Sequence, residues 1–211
     1  MIINHKYKFI FIHVPKCAGT SIKRALYPYC DEYDQFLGGH PNVPEENSEV
    51  HKHSTALEVK RFATRERWDE YFTFSFVRNP FSRMVSLYKW WQKTDGLFDI
   101  KTKNIICNMS FEEFVFSKYT GETQVKFLAS KNPKKTFVAE ANRVELDFLG
   151  KHERINKDFA YVCGLLKLPN LNLEKHNTTT NDYNSFNAYY NKKTKTRVRE
   201  KFAEDFNFLG Y

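Results

Sequence analysis

A lysine, a glycine and two hydroxyl side chains lie close together near the start of the chain, in the segment KFIFIHVPKCAGTSIKRAL (residues 8–26). The segment begins as an apolar, β-forming stretch and ends in a helical pattern, so Lys16, Gly19, Thr20 and Ser21 fall at a strand-to-helix junction. The first N–H groups of a helix lack intrahelical partners and stand at the positive end of its dipole, and a glycine lets a ligand approach the backbone. This combination predicts a binding loop for a phosphate or sulfate ester.

Two common phosphate-binding loops do not fit this spacing. A Walker A loop, G-x-x-x-x-G-K-S/T, has its lysine directly after the second glycine, whereas Lys16 precedes Gly19, and this order disfavours a P-loop NTPase. A cysteine-phosphatase loop needs an arginine six positions after its cysteine, but the residue six positions after Cys17 is Lys23. We therefore interpret Cys17 as a small filler residue, with an activated thiolate at the helix start as the alternative.

Apolar patterning and capping residues predict strands that alternate with helices. The predicted strands are Lys8–Val14, Tyr71–Val77 and Val144–Leu149. The predicted helices are Thr20–Leu26, Phe81–Gln92 and Thr194–Phe206, with three more starting at the caps Thr55, Ser110 and Asn156. Residues 30–50 and 170–196 are predicted to form loops. This order favours one α/β domain over residues 1–211, with a mainly parallel central sheet flanked by helices.

A second strand-to-helix junction has the sequence FSFVRNPFSRMVSLY (residues 74–88). Asn79 is a suitable N-cap and Pro80 suits the first helical position, so Arg78 stands at the end of the strand. Ser86 follows inside the helix.

Both junctions resemble motifs of the sulfotransferases that use 3′-phosphoadenosine 5′-phosphosulfate (PAPS), in particular the glycan-modifying branch that includes the heparan sulfate 2-O- and chondroitin sulfotransferases. The resemblance implies a P-loop-like fold with PAPS as co-substrate, 3′-phosphoadenosine 5′-phosphate (PAP) as product and no metal. HVPKCAGTS is similar to the loop that binds the 5′-phosphosulfate, which implies this role for Lys16, Cys17, Ala18, Gly19, Thr20 and Ser21. Arg78 and Ser86 match the residues that bind the 3′-phosphate. DFLGKHERINKDF (residues 147–159) resembles a later strand-turn-helix of the family, but Lys151 and His152 replace its usual Arg and Phe.

Sulfuryl transfer to a hydroxyl needs a base for the hydroxyl proton and positive charge for the leaving phosphate. Lys16 is the candidate for the second role. The heparan sulfate 2-O branch takes its base from a His-x-His pair ahead of a helix, and EVHKHSTALEVKR resembles that segment, which implies that His53 is the base. The helix start behind His53 should hold its pKa at or below about 6.5. His51, Glu49 and Glu58 are the alternatives.

Composition narrows the class of partner. The 211 residues carry a formal charge of +8 with a pI near 9.2, which favours an anionic partner such as PAPS itself or an acidic glycan. No recognition motif supports nucleic-acid binding. No segment is apolar and long enough for a signal sequence or membrane span, and the four cysteines lack the spacing of a zinc site. We expect a cytoplasmic protein with reduced thiols.

The sequence therefore predicts a sulfotransferase that moves a sulfuryl group from PAPS to a carbohydrate hydroxyl by in-line transfer with a histidine base, as in polysaccharide biosynthesis. Two alternatives stay open. One is a non-catalytic nucleotide- or polyanion-binding protein of the same fold, and the other is a P-loop phosphotransferase. The second would need a metal-binding acid at a strand end, where YFTFSFVRN ends in arginine and asparagine.

Overall fold

The computed structural model describes residues 1–37, 49–93, 99–128, 146–169, 171, 173 and 185–211. The chain divides into two compact units, each made of two segments. The first unit comprises Met1–Val77 and Gln124–His176, and the second comprises Arg78–Thr123 and Asn177–Tyr211.

The helices and strands of the described residues alternate much as the sequence predicts. The strands are β1 (Ile2–Asn4), β2 (Phe9–Ile12), β3 (Gln35–Phe36), β4 (Phe72–Val77) and β5 (Phe148–Lys151). The helices are α1 (Gly19–Leu26), α2 (Ala56–Phe62), α3 (Arg65–Glu70), α4 (Pro80–Lys93), α5 (Ile100–Cys107), α6 (Phe111–Phe116), α7 (Gln124–Leu128), α8 (Ile155–Leu165), α9 (Lys192–Lys201) and α10 (Ala203–Leu209).

The five strands form one sheet in the first unit, in the order β3-β1-β2-β4-β5. β2, β4 and β5 run parallel, with Ile12 opposite Ser75 and Phe76 opposite Gly150. β1 is antiparallel to both β2 and β3. The prediction of a mainly parallel sheet is therefore half right, because two of the four strand pairings are antiparallel. The turn between Asn4 and Phe9 is too short for the crossover that a parallel pair would need.

Aromatic side chains of β2 and β4 form the centre of the core of the first unit. Phe9, Phe11, Phe74 and Phe76 are buried and pack with Phe159 of α8. Ile22 and Leu26 of α1 belong to the same cluster. β2 and β4, which the candidate residues follow in sequence, are therefore both anchored in this core.

The second unit is helical around its own apolar cluster. Met84, Val85 and Trp91 of α4 pack with Phe114 of α6 and Phe202, which lies between α9 and α10. The predicted apolar face of Phe81–Gln92 is thus confirmed, and Asn79 accepts a hydrogen bond from the N–H of Phe81 at 2.9 Å.

The predicted capping boxes are confirmed, while several predicted boundaries shift. Thr55 and Ser110 each cap a helix reciprocally with the glutamate three residues on. Asn156 is not a cap, because α8 already begins at Ile155. The single helix predicted over Thr194–Phe206 is two helices that meet at Phe202. The last predicted strand shifts to β5, and its first residues, 144–145, lie outside the described residues. About half of each predicted loop also lies outside them. The prediction of a loop over residues 170–196 is wrong at its end, because Ser185–Tyr189 form a 3-10 helix and α9 begins at Lys192.

Candidate active site

The loop between β2 and α1 has an unusual backbone. Lys16 and Ala18 have φ values of 66° and 63°, in the left-handed region that side chains other than glycine rarely adopt. Such a conformation costs on the order of 1 kcal/mol per residue and persists where the surrounding structure holds it, often at ligand sites. The backbone of this loop is therefore held in its conformation at a cost to the stability of the folded protein.

The start of α1 matches the expectation of an anion site. Ala18 occupies the N-cap position, and no side chain among the described residues caps the helix. The first turn holds no acidic residue, and the half-buried Thr20 and Ser21 add two hydroxyls. The N–H groups of this turn and its hydroxyls can bind an anion such as the phosphosulfate group of PAPS.

Gly19 is required by a close contact with His13. A Cβ built on Gly19 would lie 2.1 Å from Cδ2 of the His13 ring, so any side chain there would displace the ring or the loop. His13 is only 3% exposed, and its Nδ1 has no hydrogen-bond partner among the described residues. The loop thus packs directly against the imidazole of His13.

His53 also contacts His13. Its Nδ1 is 2.9 Å from the carbonyl oxygen of His13, and the two rings meet edge to face with centroids 4.6 Å apart. Because a carbonyl oxygen only accepts, Nδ1 of His53 must carry the proton and donate. In the neutral ring, Nε2 of His53 then holds the lone pair and can accept a proton from a hydroxyl.

Burial keeps both histidines neutral near pH 7. It lowers the pKa of His53 to about 4, against a partly opposing hydrogen bond to the His13 carbonyl. Burial also lowers the pKa of His13 well below its usual value, and nearby positive charges add to this. The predicted direction for His53 is confirmed, but burial is its main cause, whereas the sequence suggested the start of the following helix.

The three alternative bases are placed differently. Nδ1 of His51 accepts a hydrogen bond from the N–H of His53 at 3.1 Å, so His51 shapes the turn that carries His53. Glu58 is engaged in the capping box, where its Oε2 accepts from the N–H of Thr55 at 2.7 Å. Glu49 is exposed. Of the four candidates, His53 alone combines burial with a fixed tautomer.

The lowered pKa of His53 predicts a loss of stability in acid. Between pH 6.5 and 4 the unfolded state binds more protons at this residue than the folded state, so unfolding becomes easier as pH falls. From pH 7 to pH 5, the wild type should lose about 2 kcal/mol more than His53→Gln. Urea unfolding at both pH values measures the difference, with His51→Gln as the control. Equal losses in all three proteins would contradict the burial of His53.

Cys17 is buried and hydrogen-bonded, as expected of a filler residue. It is 1% exposed, and its Sγ is 3.1 Å from Oε1 of Gln124. Because the amide oxygen only accepts, the sulfur donates and therefore carries its proton in this arrangement. Lys23, at the position of the missing phosphatase arginine, is buried and donates to the carbonyl oxygen of Leu37.

Replacing Cys17 with serine should preserve most turnover, because a hydroxyl can donate the same hydrogen bond to Gln124. We expect kcat within about threefold of the wild type, and a cost of about 1 kcal/mol in stability from a more polar buried group. Steady-state kinetics and thermal unfolding check both values. Abolished turnover in a folded Cys17→Ser protein would restore the thiolate alternative.

In the second unit, Arg78 directly follows β4 and is held by a residue that sequence reasoning missed. Its Nε donates to Oγ of Ser82 at 2.9 Å, and Ser82 in turn donates to the carbonyl oxygen of Asn79 at 3.2 Å. Ser86, one turn further along α4, is buried. The separation of Arg78 and Ser82 by only four residues was the available signal, because Arg78 stands just ahead of α4 and Ser82 lies in its first turn, so the two side chains can meet.

The third segment that resembles the family, residues 147–159, makes contacts that hold β5 and α8 together. Gly150 packs so closely on Phe76 that a Cβ would lie 2.4 Å from the ring. Asp158 accepts from the N–H of Lys151 at 2.7 Å and from Nε of Arg154 at 3.0 Å, which ties β5 to the start of α8. These contacts explain the glycine and the later aspartate of the segment.

Comparison with known proteins shows the class. A sequence model described as the sulfotransferase family matches residues 1–211, and the chain belongs to this family. Carbohydrate sulfotransferase 10 of Xenopus laevis is 22% identical over 243 residues, which cover 100% of this chain and 67% of that protein. Carbohydrate sulfotransferase 11 of Rattus norvegicus is 24% identical over 248 residues, covering 100% of this chain and 66% of the relative.

An uncharacterized protein of Archaeoglobus fulgidus is 29% identical over 124 residues, covering 59% of this chain and 91% of the relative. The chain thus spans about two thirds of the length of these two carbohydrate sulfotransferases. No solved structure matches the chain. Among the described residues, no helix is both long and apolar enough to cross a membrane, and no disulfide joins any of the four cysteines.

Proposed function

We propose that this protein transfers a sulfuryl group from PAPS to a hydroxyl of a carbohydrate, by in-line displacement with His53 as the base. Membership of the sulfotransferase family supports the reaction class. The names of the two carbohydrate sulfotransferases that match along the whole of this chain support a carbohydrate acceptor. A cytoplasmic location stays a prediction.

One observation carries the assignment of the base. The ring of His13 touches Gly19 of the candidate phosphosulfate loop on one side and the ring of His53 on the other. The loop and the base are therefore joined through a single buried side chain within the first unit. This is the arrangement expected if the acceptor hydroxyl is activated close to the group that it attacks.

Each residue of the first unit has a distinct chemical task in this proposal. PAPS supplies a sulfuryl group attached to a good leaving group. As the hydroxyl oxygen forms a bond to sulfur and the bond from sulfur to the phosphate oxygen breaks, Nε2 of His53 accepts the hydroxyl proton. Lys16 and the first N–H groups of α1 stabilise the negative charge that develops on the departing phosphate. Gly19 keeps the loop close to His13.

In the second unit, Arg78 and Ser86 are proposed to bind the 3′-phosphate. The hydrogen bond from Nε of Arg78 to Ser82 fixes the guanidinium plane, and a guanidinium held in one plane suits bidentate binding of a phosphate. Ser82 thus acts as a positioning residue for Arg78.

Ligand-induced thermal stabilisation tests this function against its alternatives. PAP at about a hundred times its Kd should stabilise the protein by about 2.7 kcal/mol, in the presence of EDTA, while ATP should not. Stabilisation by ATP only with magnesium would support a P-loop phosphotransferase instead. Binding of PAP without turnover of PAPS on any carbohydrate would support the non-catalytic alternative.

Replacing Arg78 with alanine should discriminate between two ligands that differ at one group. The affinity for PAP should fall about 10- to 100-fold, since a charged hydrogen bond to phosphate is lost, while the affinity for adenosine 5′-phosphosulfate, which lacks the 3′-phosphate, should change less than threefold. Calorimetric titration measures both. Ser82→Ala should show a smaller loss in the same direction, and an equal loss for both ligands would mean that Arg78 is structural.

A further inference from the structure

A shallow cleft on the second unit is lined largely by the exposed face of α9. The cleft has a volume of about 500 Å³. Its lining consists of Tyr190, Asn191, Lys192, Lys195, Thr196 and Arg199. None of these residues belongs to the site proposed above.

Charge is unevenly distributed on this helix. α9 has the sequence KKTKTRVREK, with six basic residues and one acidic residue. Lys193 pairs with Glu112 at 3.1 Å, but within the described part of the chain neither Lys192 nor Lys195 forms an ion pair. The two unpaired lysines are the ones that line the cleft.

These lysines also stand at the wrong end of the helix for stability. Lys192 is the first residue of α9 and Lys195 is the fourth, and the first turn contains no acidic residue. Cations near a helix N-terminus are disfavoured by the helix dipole. The carboxylate of Glu112, which accepts from Nδ2 of Asn191 at 2.8 Å and pairs with Lys193, offsets part of this repulsion. A bound anion would relieve the repulsion, and a local conflict of this kind is expected at functional sites.

Three of the remaining lining residues contact other parts of the second unit or of α9 itself. The guanidinium of Arg199 lies over the rings of Phe81 and Phe206, at 5.7 and 6.0 Å from their centroids. The hydroxyl of Tyr190 donates to the carbonyl oxygen of Phe81 at 2.8 Å, and the side chain of Asn191 is engaged in capping α9. The cleft therefore offers two lysines, an arginine that contacts two aromatic rings, and the Thr196 hydroxyl.

From these observations we infer that the α9 cleft, defined by Lys192, Lys195, Thr196 and Arg199, binds an acidic polysaccharide through its carboxylate or sulfate groups. The cations at positions 192, 195 and 199 extend about 10 Å along one helix face, which suits repeated charges better than a single small anion. The inference rests on the proposed function for the choice of a carbohydrate over other polyanions. In this proposal the cleft retains acidic acceptors through residues other than those that carry out the reaction.

The test compares the wild type with the triple variant K192Q/K195Q/R199Q by titration with heparin, polygalacturonate and neutral dextran. We expect the wild type to bind both acidic polymers and not dextran. The triple variant should bind them at least tenfold more weakly. The slope of log K against log salt concentration should also be smaller in magnitude by about two to three. A matched control, R61Q/K101Q/K157Q, loses the same charge from exposed positions elsewhere and should bind like the wild type.

Stability gives a second readout that a structural role would not produce. K192Q/K195Q should melt at the same temperature as the wild type or higher, because the repulsion at the helix start is removed, yet it should bind both acidic polymers more weakly than the wild type does. Turnover on a short neutral acceptor should be unchanged in the triple variant. Since polymer binding is measured without PAPS, a wild type that binds polymer but never turns over PAPS would refute the proposed function and leave this site standing.

Three results would overturn the inference. The first is unchanged polymer affinity in the triple variant. The second is an equal loss in the matched control, which would reduce the effect to net charge. The third is tighter binding of a single-stranded oligonucleotide than of either acidic polysaccharide, which would assign the cleft to nucleic acid.

Discussion

Replacing His53 with alanine should lower kcat about 10²- to 10⁴-fold, the usual effect of losing a general base. The Kd for PAP should stay within about threefold of the wild-type value, because His53 is proposed to contact the acceptor hydroxyl rather than the nucleotide. Stopped assays of sulfate transfer, combined with calorimetric titration of PAP, measure the two quantities separately.

The neighbours of His53 provide the controls. His51→Ala should reduce kcat far less, since His51 only accepts a hydrogen bond from the backbone of His53. Glu49→Gln and Glu58→Gln should both be close to the wild type, since a glutamine at position 58 can complete the same capping box with Thr55. If one of these three variants loses turnover while His53→Ala keeps it, the base is that residue.

The pH dependence of the rate follows from the lowered pKa of His53. A protonated imidazole cannot accept the hydroxyl proton, so kcat/KM should fall only as pH approaches about 4, well below the value for a free histidine. Across pH 6 to 8 this group should leave the rate flat. An acidic limb centred near 6.5 would show that His53 is solvated in the working enzyme.

Replacing Lys16 with methionine should produce the second large effect. Loss of a charge that stabilises the developing negative charge on the leaving phosphate should lower kcat about 10²- to 10³-fold. The affinity for PAP should fall less, because the N–H groups of α1 remain. Methionine keeps the length of the side chain, so steady-state kinetics and PAP titration report mainly on the charge.

A matched variant separates this role from general electrostatics. Lys6→Met removes the same charge from an exposed lysine in the turn between β1 and β2, and should leave both kcat and PAP affinity unchanged. Lys16→Arg should recover part of the lost rate. An unchanged kcat in Lys16→Met would remove Lys16 from the mechanism, whatever the result for His53.

Local sequence patterns predicted the two strand-to-helix junctions well because strong signals coincide there. A buried β-forming run ends close to Lys16 in one case and to Arg78 in the other. After Arg78, the cap Asn79 marks the start of α4, and after Lys16 the change from a β-forming to a helical pattern marks the start of α1. These signals depend on residues close in sequence, so they can be read without the fold.

Features that depend on distant residues could not be predicted in this way. β1 has only three residues and is recognisable as a strand through its pairing with β2 and β3. The contact of His13 with Gly19 and His53 requires the β2 end and the later turn to meet in space. The main cause of the pKa shift of His53 was missed for the same reason, since burial is a property of the fold.

The most direct test of the central claim is transfer of labelled sulfate from PAPS to a panel of carbohydrates, in EDTA, with the wild type and His53→Ala measured side by side. The account predicts that the wild type forms a sulfate ester and releases an equal amount of PAP, and that His53→Ala binds PAP normally but transfers about 10²- to 10⁴-fold more slowly. Equal transfer rates for the two proteins, with both folded and binding PAP, would contradict it.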